Sequence, residues 1–252
     1  RARPLAMRIA VVGSGIAGLG SALLLSRKGH LVTVFEADRR PGGHSHTVDV
    51  TVDGLTFPVD TGFLVFNDRT YPNLVRLFDE LGVESVPSDM SFSVRNDRAG
   101  IEWAGTSLAT LFAQPANALK PAYWRMLGEI LRFNRETTAL ELGNRVWSIS
   151  LGEYLEERGY SDAFRDWYLG PMAAAIWPSP SKDILDFPLP SFVRFCHNHG
   201  LLAIADRPQW RTVRGGSRTY VRKIVAALPD VRTSTPVTRV QRLRHGVEID
   251  TA

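Results

Sequence analysis

The feature that most constrains the fold is a strand, turn and helix near the start of the chain, followed by a second strand. Residues 8–12 form a short, almost wholly apolar run, which is typical of a central parallel strand covered on both faces. The sequence Gly13-Ser14-Gly15-Ile16-Ala17-Gly18 follows directly, and leucines at helical spacing then continue to Lys28. Gly29 stands where a helix ends, and residues 31–35 form a second apolar strand. This order predicts an α/β fold with a Rossmann-like domain.

Each residue type in this unit suits the binding of a dinucleotide. Gly13 permits a tight turn, Gly15 lets the backbone approach a pyrophosphate, and Gly18 lets the helix and strand pack closely. The helix N-terminus offers free N–H groups and a positive dipole end to phosphates. Glu36 ends the second strand, where its carboxylate can accept hydrogen bonds from ribose hydroxyls and disfavours the 2′-phosphate of NADP. NAD and FAD both stay open, and the predicted cofactor contacts are Gly13, Ser14, Gly15, Ile16, Ala17, Gly18 and Glu36.

The residues after Glu36 distinguish between these two cofactors. The segment 36–47, which contains Gly42, Gly43 and His44, resembles the flavin-containing amine oxidase superfamily, which also takes in protoporphyrinogen oxidases and phytoene desaturases. In that superfamily the ribose-binding acid is followed by a Gly-Gly pair and usually by an arginine near the flavin pyrophosphate. Here His44 replaces the arginine, so the chain is most similar to the bacterial amine-oxidase-like NAD/FAD-binding group. The resemblance implies FAD as the cofactor.

Later segments extend this resemblance over nearly the whole chain. Residues 59–63 are similar to an acid-x-glycine segment that passes beside the flavin ring. Residues 214–217 are similar to a Gly-Gly-polar turn before a helix that returns to the cofactor domain, and the strand 235–240 is similar to one that starts against the adenine. The resemblance adds these cofactor contacts: Ala37, Arg40, Gly42, Gly43, His44, Thr61, Gly62, Phe63 and Val237.

The middle of the chain changes from strand to helical patterns. An Asp53-Gly54 pair between alternating valines predicts a two-residue turn, and Ser150 with Glu153 predicts a capping box. The patterns indicate, in chain order, a β-ribbon, a helix, a second hairpin, a helical stretch and an irregular proline-rich segment at residues 47–57, 71–81, 92–103, 106–176 and 177–190.

This order implies a cofactor domain interrupted by an α+β substrate domain. The expected domains are a first FAD-binding segment at 1–70, a substrate domain at 71–210, a returning FAD-binding segment at 211–245 and the start of a further segment at 246–252. The resemblance implies additional strands and a glycine-containing motif at the flavin ring after these residues. The chain is therefore expected to be truncated at its C-terminus and to hold FAD weakly or not at all.

Composition limits the class and location of the protein. The 252 residues are 44% hydrophobic and 22% charged, close to the average for soluble globular domains. A formal charge of +4 is too small to indicate nucleic acid as a partner, although the basic stretch 207–244 leaves peripheral membrane contact open. The sequence contains no run of about 18 apolar residues, so no membrane span is predicted. The single cysteine favours a reducing compartment, so we expect a cytoplasmic location.

The resemblance implies an FAD-dependent oxidoreductase of the amine-oxidase type, which transfers a hydride from a small, hydrophobic or lipid-like substrate to flavin N5. This chemistry does not require a side-chain acid or base, so no catalytic residue is predicted. Two alternatives stay open: an NAD-binding dehydrogenase, for which the unit 13–36 suffices, and a catalytically silent FAD-binding module in a lipid-modifying system. No metal site is predicted, because the histidines at 44–46 and the Cys-His-x-His stretch at 196–199 lack further ligands at recognisable spacing.

Overall fold

The chain divides into two compact units in this computed structural model. Residues 6–142, 149–177, 184–202 and 208–252 are the ones that the structure describes. The first unit joins Arg1–Ser88 to Gln209–Ala252, and the second unit is Asp89–Pro208. The first division falls after residue 88 rather than after residue 70, because the helix and strand within 72–87 pack in the first unit.

Helices and strands are mixed through the described residues, and the predicted α/β class is confirmed. The strands are β1 (Arg8–Val12), β2 (Leu31–Phe35), β3 (Thr47–Val52), β4 (Leu55–Asp60), β5 (Ser85–Pro87), β6 (Ser93–Asn96), β7 (Ile101–Ala104), β8 (Arg211–Val213), β9 (Asp230–Arg232), β10 (Val237–Leu243) and β11 (Gly246–Thr251). The helices are α1 (Ile16–Arg27), α2 (Pro72–Leu81), α3 (Leu108–Leu111), α4 (Pro121–Leu142), α5 (Leu151–Glu157), α6 (Asp162–Phe164), α7 (Gly170–Ile176), α8 (Leu189–Asn198) and α9 (Arg218–Ala226). A 3-10 helix covers Pro115–Leu119 and a π-helix covers Arg165–Leu169.

A parallel sheet of β1, β2 and β9 forms the base of the first unit, with β2 in the middle. Val34 of β2 pairs with Val11 on one side and Val231 on the other, and Leu19 of α1 packs in the same buried cluster. Within this three-stranded sheet β1 does not take the predicted central position covered on both faces. Among the described residues β1 pairs on one side only, and Val12 is 58% exposed. An apolar run predicts a strand, but which strand is central depends on pairing between distant segments.

The locally encoded elements are confirmed. β3 and β4 pair antiparallel around Asp53 and Gly54, whose φ values of 50° and 77° give the turn with two positive φ angles that tight hairpins favour. β6 and β7 form the second hairpin. α2 ends at Gly82 in the left-handed conformation, and Ser150 and Glu153 form the predicted capping box of α5.

The prediction that residues 177–190 are irregular is wrong at the C-terminal end of that segment. α8 begins at Leu189, and Pro190 lies in its first turn, where its missing N–H would have no helical partner anyway. Pro178 and Pro180 lie outside the described residues. Pro190 therefore marks the start of a helix. None of the helices in the described ranges is long and apolar enough to cross a bilayer.

Glu136 of α4 connects α4 to α5 and to the turn that follows it in the second unit. The hydroxyls of Tyr154 and Tyr160 donate to its carboxylate at 2.9 and 3.0 Å. The guanidinium of Arg158 lies 3.5 Å from the same carboxylate. Partial burial opposes ionisation, but these hydrogen bonds and the charges of Arg158 and Arg132 outweigh it and hold the pKa of Glu136 below its ordinary value.

We expect Glu136→Gln to lower the free energy of unfolding by about 2 kcal/mol at neutral pH, because hydrogen bonds to a charged group contribute about 1.5–3 kcal/mol. The pKa is lower in the folded state, so this contribution is present above the unfolded value and is lost as pH falls through the folded value. The difference between the variant and the wild type in urea unfolding should therefore shrink below about pH 4. A difference that stayed constant down to about pH 3 would contradict this role.

Candidate functional site

The glycine turn between β1 and α1 presents an open helix N-terminus. Gly13 has a φ of 92°, and its amide donates to the carbonyl of Phe35 at 2.7 Å. The Leu19 amide donates to the carbonyl of Gly15, so the amides of residues 16–18 precede the first helical hydrogen bond. No side chain caps this end of α1. These free amides and the positive end of the helix dipole are suited to an anion such as a phosphate.

The structural reason for a glycine differs among the three glycines of the turn. A Cβ at Gly18 would lie 2.0 Å from the carbonyl oxygen of Gly13, so the contact between helix and turn excludes any side chain there. Gly13 needs its positive φ. Gly15 has an ordinary φ of −61°, and a Cβ there would meet nothing within 4 Å. Neither the backbone nor the packing therefore requires glycine at position 15, and the space where its Cβ would stand is open.

Glu36 lies at the end of β2 and is fixed against the same turn. The amide of Ser14 donates to its Oε2 at 2.8 Å, and the Ser14 hydroxyl donates to the same oxygen. The amide of Asp38 donates to Oε1 at 2.9 Å. Partial burial opposes ionisation, but these bonds outweigh it and lower the pKa of Glu36. Glu36 is thus a charged acceptor held beside the glycine turn.

Residues 40–46, which we call the cradle loop, pack directly against the glycine turn. The amide of Gly42 donates to the carbonyl of Ser14 at 3.0 Å, and a Cβ at Gly43 would lie 3.1 Å from the Cα of Gly15. Gly42 and Gly43 have φ values of 116° and 56°. The guanidinium of Arg40, which the sequence places at the cofactor, donates to the carbonyl of Gly43 at 2.8 Å and so supports the loop from within. The structure brings the predicted Gly-Gly pair to the turn.

The segment 61–63 lies against the cradle loop through its backbone. The amide of Phe63 donates to the carbonyl of His44 at 3.3 Å, and a Cβ at Gly62 would lie 2.2 Å from that oxygen. Thr61 donates its amide to the carbonyl of His46 at 2.9 Å. Thr61, Gly62 and Phe63 are thus joined to the cradle loop at His44 and His46, and the His44 side chain is exposed to solvent.

Val237 is brought to the Glu36 end of the site by the chain that precedes β10. The amide of Thr235 donates to the carbonyl of Glu36 at 2.8 Å, and the amide of Ser234 donates to that of Asp38 at 3.0 Å. Val237 begins β10 and is half-buried. Val237 therefore lies near the carboxyl end of β2. Ala37, which follows Glu36 in the chain, is exposed.

Sequence reasoning missed the role of Asp60, although the segment that contains it was singled out. Its carboxylate accepts the amide of Ser217 at 2.9 and 3.0 Å and the Ser217 hydroxyl at 2.8 Å. It also accepts the hydroxyl of Thr47. These bonds fix the start of α9 to the ends of β3 and β4. Because Ser217 lies far from Asp60 in the chain, no local pattern could have indicated the bond.

No metal centre is apparent in the part of the chain that the structure describes, where no three His, Cys, Asp or Glu residues lie close enough to share an ion. Cys196 is buried in α8, and burial raises the pKa of its thiol to about 12. The neighbouring His199 stacks on Phe195 with ring centroids 4.0 Å apart. These residues serve packing within the second unit.

Comparison with known proteins gives a consistent family. A family model described as flavin containing amine oxidoreductase matches residues 16–252. AofH of Mycobacterium tuberculosis, whose name describes a flavin-containing monoamine oxidase, is 27% identical over 98% of this chain and 54% of its own length. Hydroxyneurosporene desaturase of Rubrivivax gelatinosus is 50% identical over 62 residues, which are 25% of this chain and 11% of that protein.

A solved structure with the same fold is cyclohexylamine oxidase from Brevibacterium oxydans. It superposes with a TM-score of 0.72 at 20% identity, over 98% of this chain and 55% of the oxidase. At that identity the likeness concerns the fold alone. The chain thus spans about half the length of these two relatives.

Proposed function

The chain belongs to the family of flavin-containing amine oxidoreductases, and from this membership we propose that it forms the FAD-binding part of an oxidoreductase that oxidises a small organic amine. The observation that carries the proposal is the space at Gly15, where the protein's own packing leaves room for a ligand beside the free amides of α1. The ionised Glu36 lies at the same turn. A pyrophosphate and a ribose are the groups that this pairing suits.

FAD is the cofactor of this family, and the described residues fit its ADP half. The start of α1, with Gly15, Ile16 and Ala17, would hold the pyrophosphate, and the Glu36 carboxylate would accept a ribose hydroxyl. The predicted contacts of the cradle loop, of 61–63 and of Val237 complete this list as proposals. When bound, the flavin accepts a hydride equivalent at N5. The protein binds and orients the flavin and the substrate, and it keeps other hydride donors away from the flavin.

We propose the second unit as the substrate domain, because it is compact, separate from the unit that holds the glycine turn and rich in aromatic side chains. An amine is supported by the name of AofH, which is similar over nearly the whole chain. A more hydrophobic or lipid-like substrate is a further proposal that rests on the resemblance alone. We propose a cytoplasmic location because the sequence has a single cysteine, which is buried and unpaired and so needs no oxidising compartment.

The proposal predicts that an amine reduces flavin held by this protein. The test loads the purified protein with FAD, removes oxygen, and adds primary amines that range from short to long and apolar. Loss of the visible absorbance of oxidised flavin is expected with at least one of them. Quaternary ammonium analogues of the same amines are the matched control, because they cannot become the neutral amine that donates a hydride equivalent. FAD that stayed oxidised with every amine would contradict the proposal and favour a catalytically silent FAD-binding module.

A further inference from the structure

A buried hydrogen bond joins the cradle loop to α9, although their residues are far apart in the chain. The hydroxyl of Tyr220 donates to the Ser45 Oγ at 2.6 Å. Tyr220 is 1% exposed and Ser45 is 4% exposed. Burial raises the pKa of Tyr220, so its hydroxyl stays protonated and able to donate. A hydroxyl pair shielded from water in this way cannot exchange its partner for solvent when it is broken.

The same helix packs on the cradle loop at a second point. A Cβ at Gly42 would lie 3.2 Å from the Cγ2 of Val221, so the Val221 methyl group lies next to Gly42 and leaves little room for a side chain there. Ser45 in turn donates its amide to the carbonyl of Gly42 at 2.9 Å. Tyr220 and Val221 therefore support the inner part of the loop, and residues 42 and 43 are the part that lies against the glycine turn.

The position of α9 itself is fixed by the strands of the ribbon. Asp60 holds the Ser217 amide, and the amide of Arg218 donates to the Thr47 hydroxyl at 3.0 Å. The guanidinium of Arg218 forms two hydrogen bonds with Asp49. These bonds fix the N-terminal end of α9 against β3 and β4, independently of its contacts with the cradle loop.

We propose that Tyr220 is a positioning residue for the cofactor, which holds the cradle loop through Ser45 at the spacing from Gly15 that the flavin pyrophosphate requires. This inference rests on the proposed function. Gly43 lies so near Gly15 that a Cβ on it would stand 3.1 Å from the Gly15 Cα, so a small outward or inward movement of the loop changes the width of the space in front of the turn. The buried hydroxyl of Tyr220 bonds to Ser45 and not to the cofactor. Its effect reaches the cofactor only through the loop.

The test variant is Tyr220→Phe, which keeps the aromatic ring that packs 5.0 Å from the ring of Phe78 and removes only the hydroxyl. We expect its affinity for FAD to fall about tenfold, the size of one lost buried hydrogen bond. In the FAD-free protein, amide hydrogen exchange over residues 40–46 should become faster, while exchange in β2 stays unchanged. The matched control is Tyr160→Phe, which removes a hydroxyl bonded to Glu136 in the second unit and should leave the affinity for FAD unchanged.

Ser45→Ala provides a second variant that removes the other partner of the bond. Because each change breaks the same hydrogen bond, the double variant should bind FAD no more weakly than the worse single variant. Equal FAD affinity in the wild type and Tyr220→Phe, or unchanged exchange over residues 40–46, would overturn the inference. If the wild type itself bound no FAD, the proposed function would fail instead, and the exchange measurement would still decide whether Tyr220 holds the loop.

Discussion

Glu36→Ala should lower the affinity of the protein for FAD about a hundredfold. The change removes a charged acceptor from the ribose and leaves the Ser14 amide without its partner, and together these losses amount to roughly 3 kcal/mol. The lowered pKa of Glu36 means that the carboxylate is charged at neutral pH, so the loss should be the same throughout the neutral range. Fluorescence quenching of FAD on binding measures the effect.

Asp38→Ala is the control for this change. Asp38 is exposed two residues further along the chain, and it contributes its amide rather than its carboxylate to the bond with Glu36. Its replacement removes one negative charge from the same region and should alter the affinity for FAD by less than about threefold. Equal losses in the two variants would show that general charge, and not a specific bond to ribose, explains the effect of Glu36.

Gly18→Ala should destabilise the protein strongly and abolish FAD binding. The new Cβ would lie 2.0 Å from the Gly13 carbonyl oxygen, and because this is backbone, the turn itself must open. Overpacking of this kind costs about 3 kcal/mol, which corresponds to a fall in melting temperature of about 10 °C. Opening the turn also displaces Gly15 and the free amides at the start of α1, which are the groups proposed to hold the pyrophosphate. Differential scanning calorimetry and FAD titration test the two parts.

Gly20→Ala is the matched control in the same helix. A Cβ at Gly20 would meet nothing within 4 Å, and alanine is favoured over glycine inside a helix by up to about 1 kcal/mol. This variant should melt at the same or a higher temperature than the wild type and bind FAD normally. Comparable losses in both variants would mean that α1 tolerates no alanine, and the proposed contact between Gly18 and Gly13 would not be the cause.

The sequence predicted those parts of the fold that local chemistry encodes. Positive φ at Gly54 and Gly82, the capping box at Ser150 and the glycine turn at 13–18 each follow from a few adjacent residues, and the structure has them in place. The helix start at Leu189 was missed because a proline both breaks and begins helices, and only tertiary context decides between the two.

The remaining parts depend on segments that meet across a long stretch of chain. That β1 lies at the edge of the described sheet follows from β9 joining beside β2, which no local pattern shows. The bonds from Tyr220 to Ser45 and from Ser217 to Asp60 are of the same kind. The sequence thus predicted the glycine turn and the Gly-Gly pair that packs on it, whereas the residues that hold these segments together could be found only in the structure.

In the proposed function the glycine turn and Glu36 bind the ADP half of FAD, and calorimetric titration of the wild-type protein measures this binding. We expect FAD to bind at one site per chain and ADP, which carries the ribose and both phosphates, to compete for that site. NADP should bind little, because Glu36 opposes a 2′-phosphate. FAD binding that ADP does not displace, or NADP binding as tight as that of FAD, would contradict the proposal.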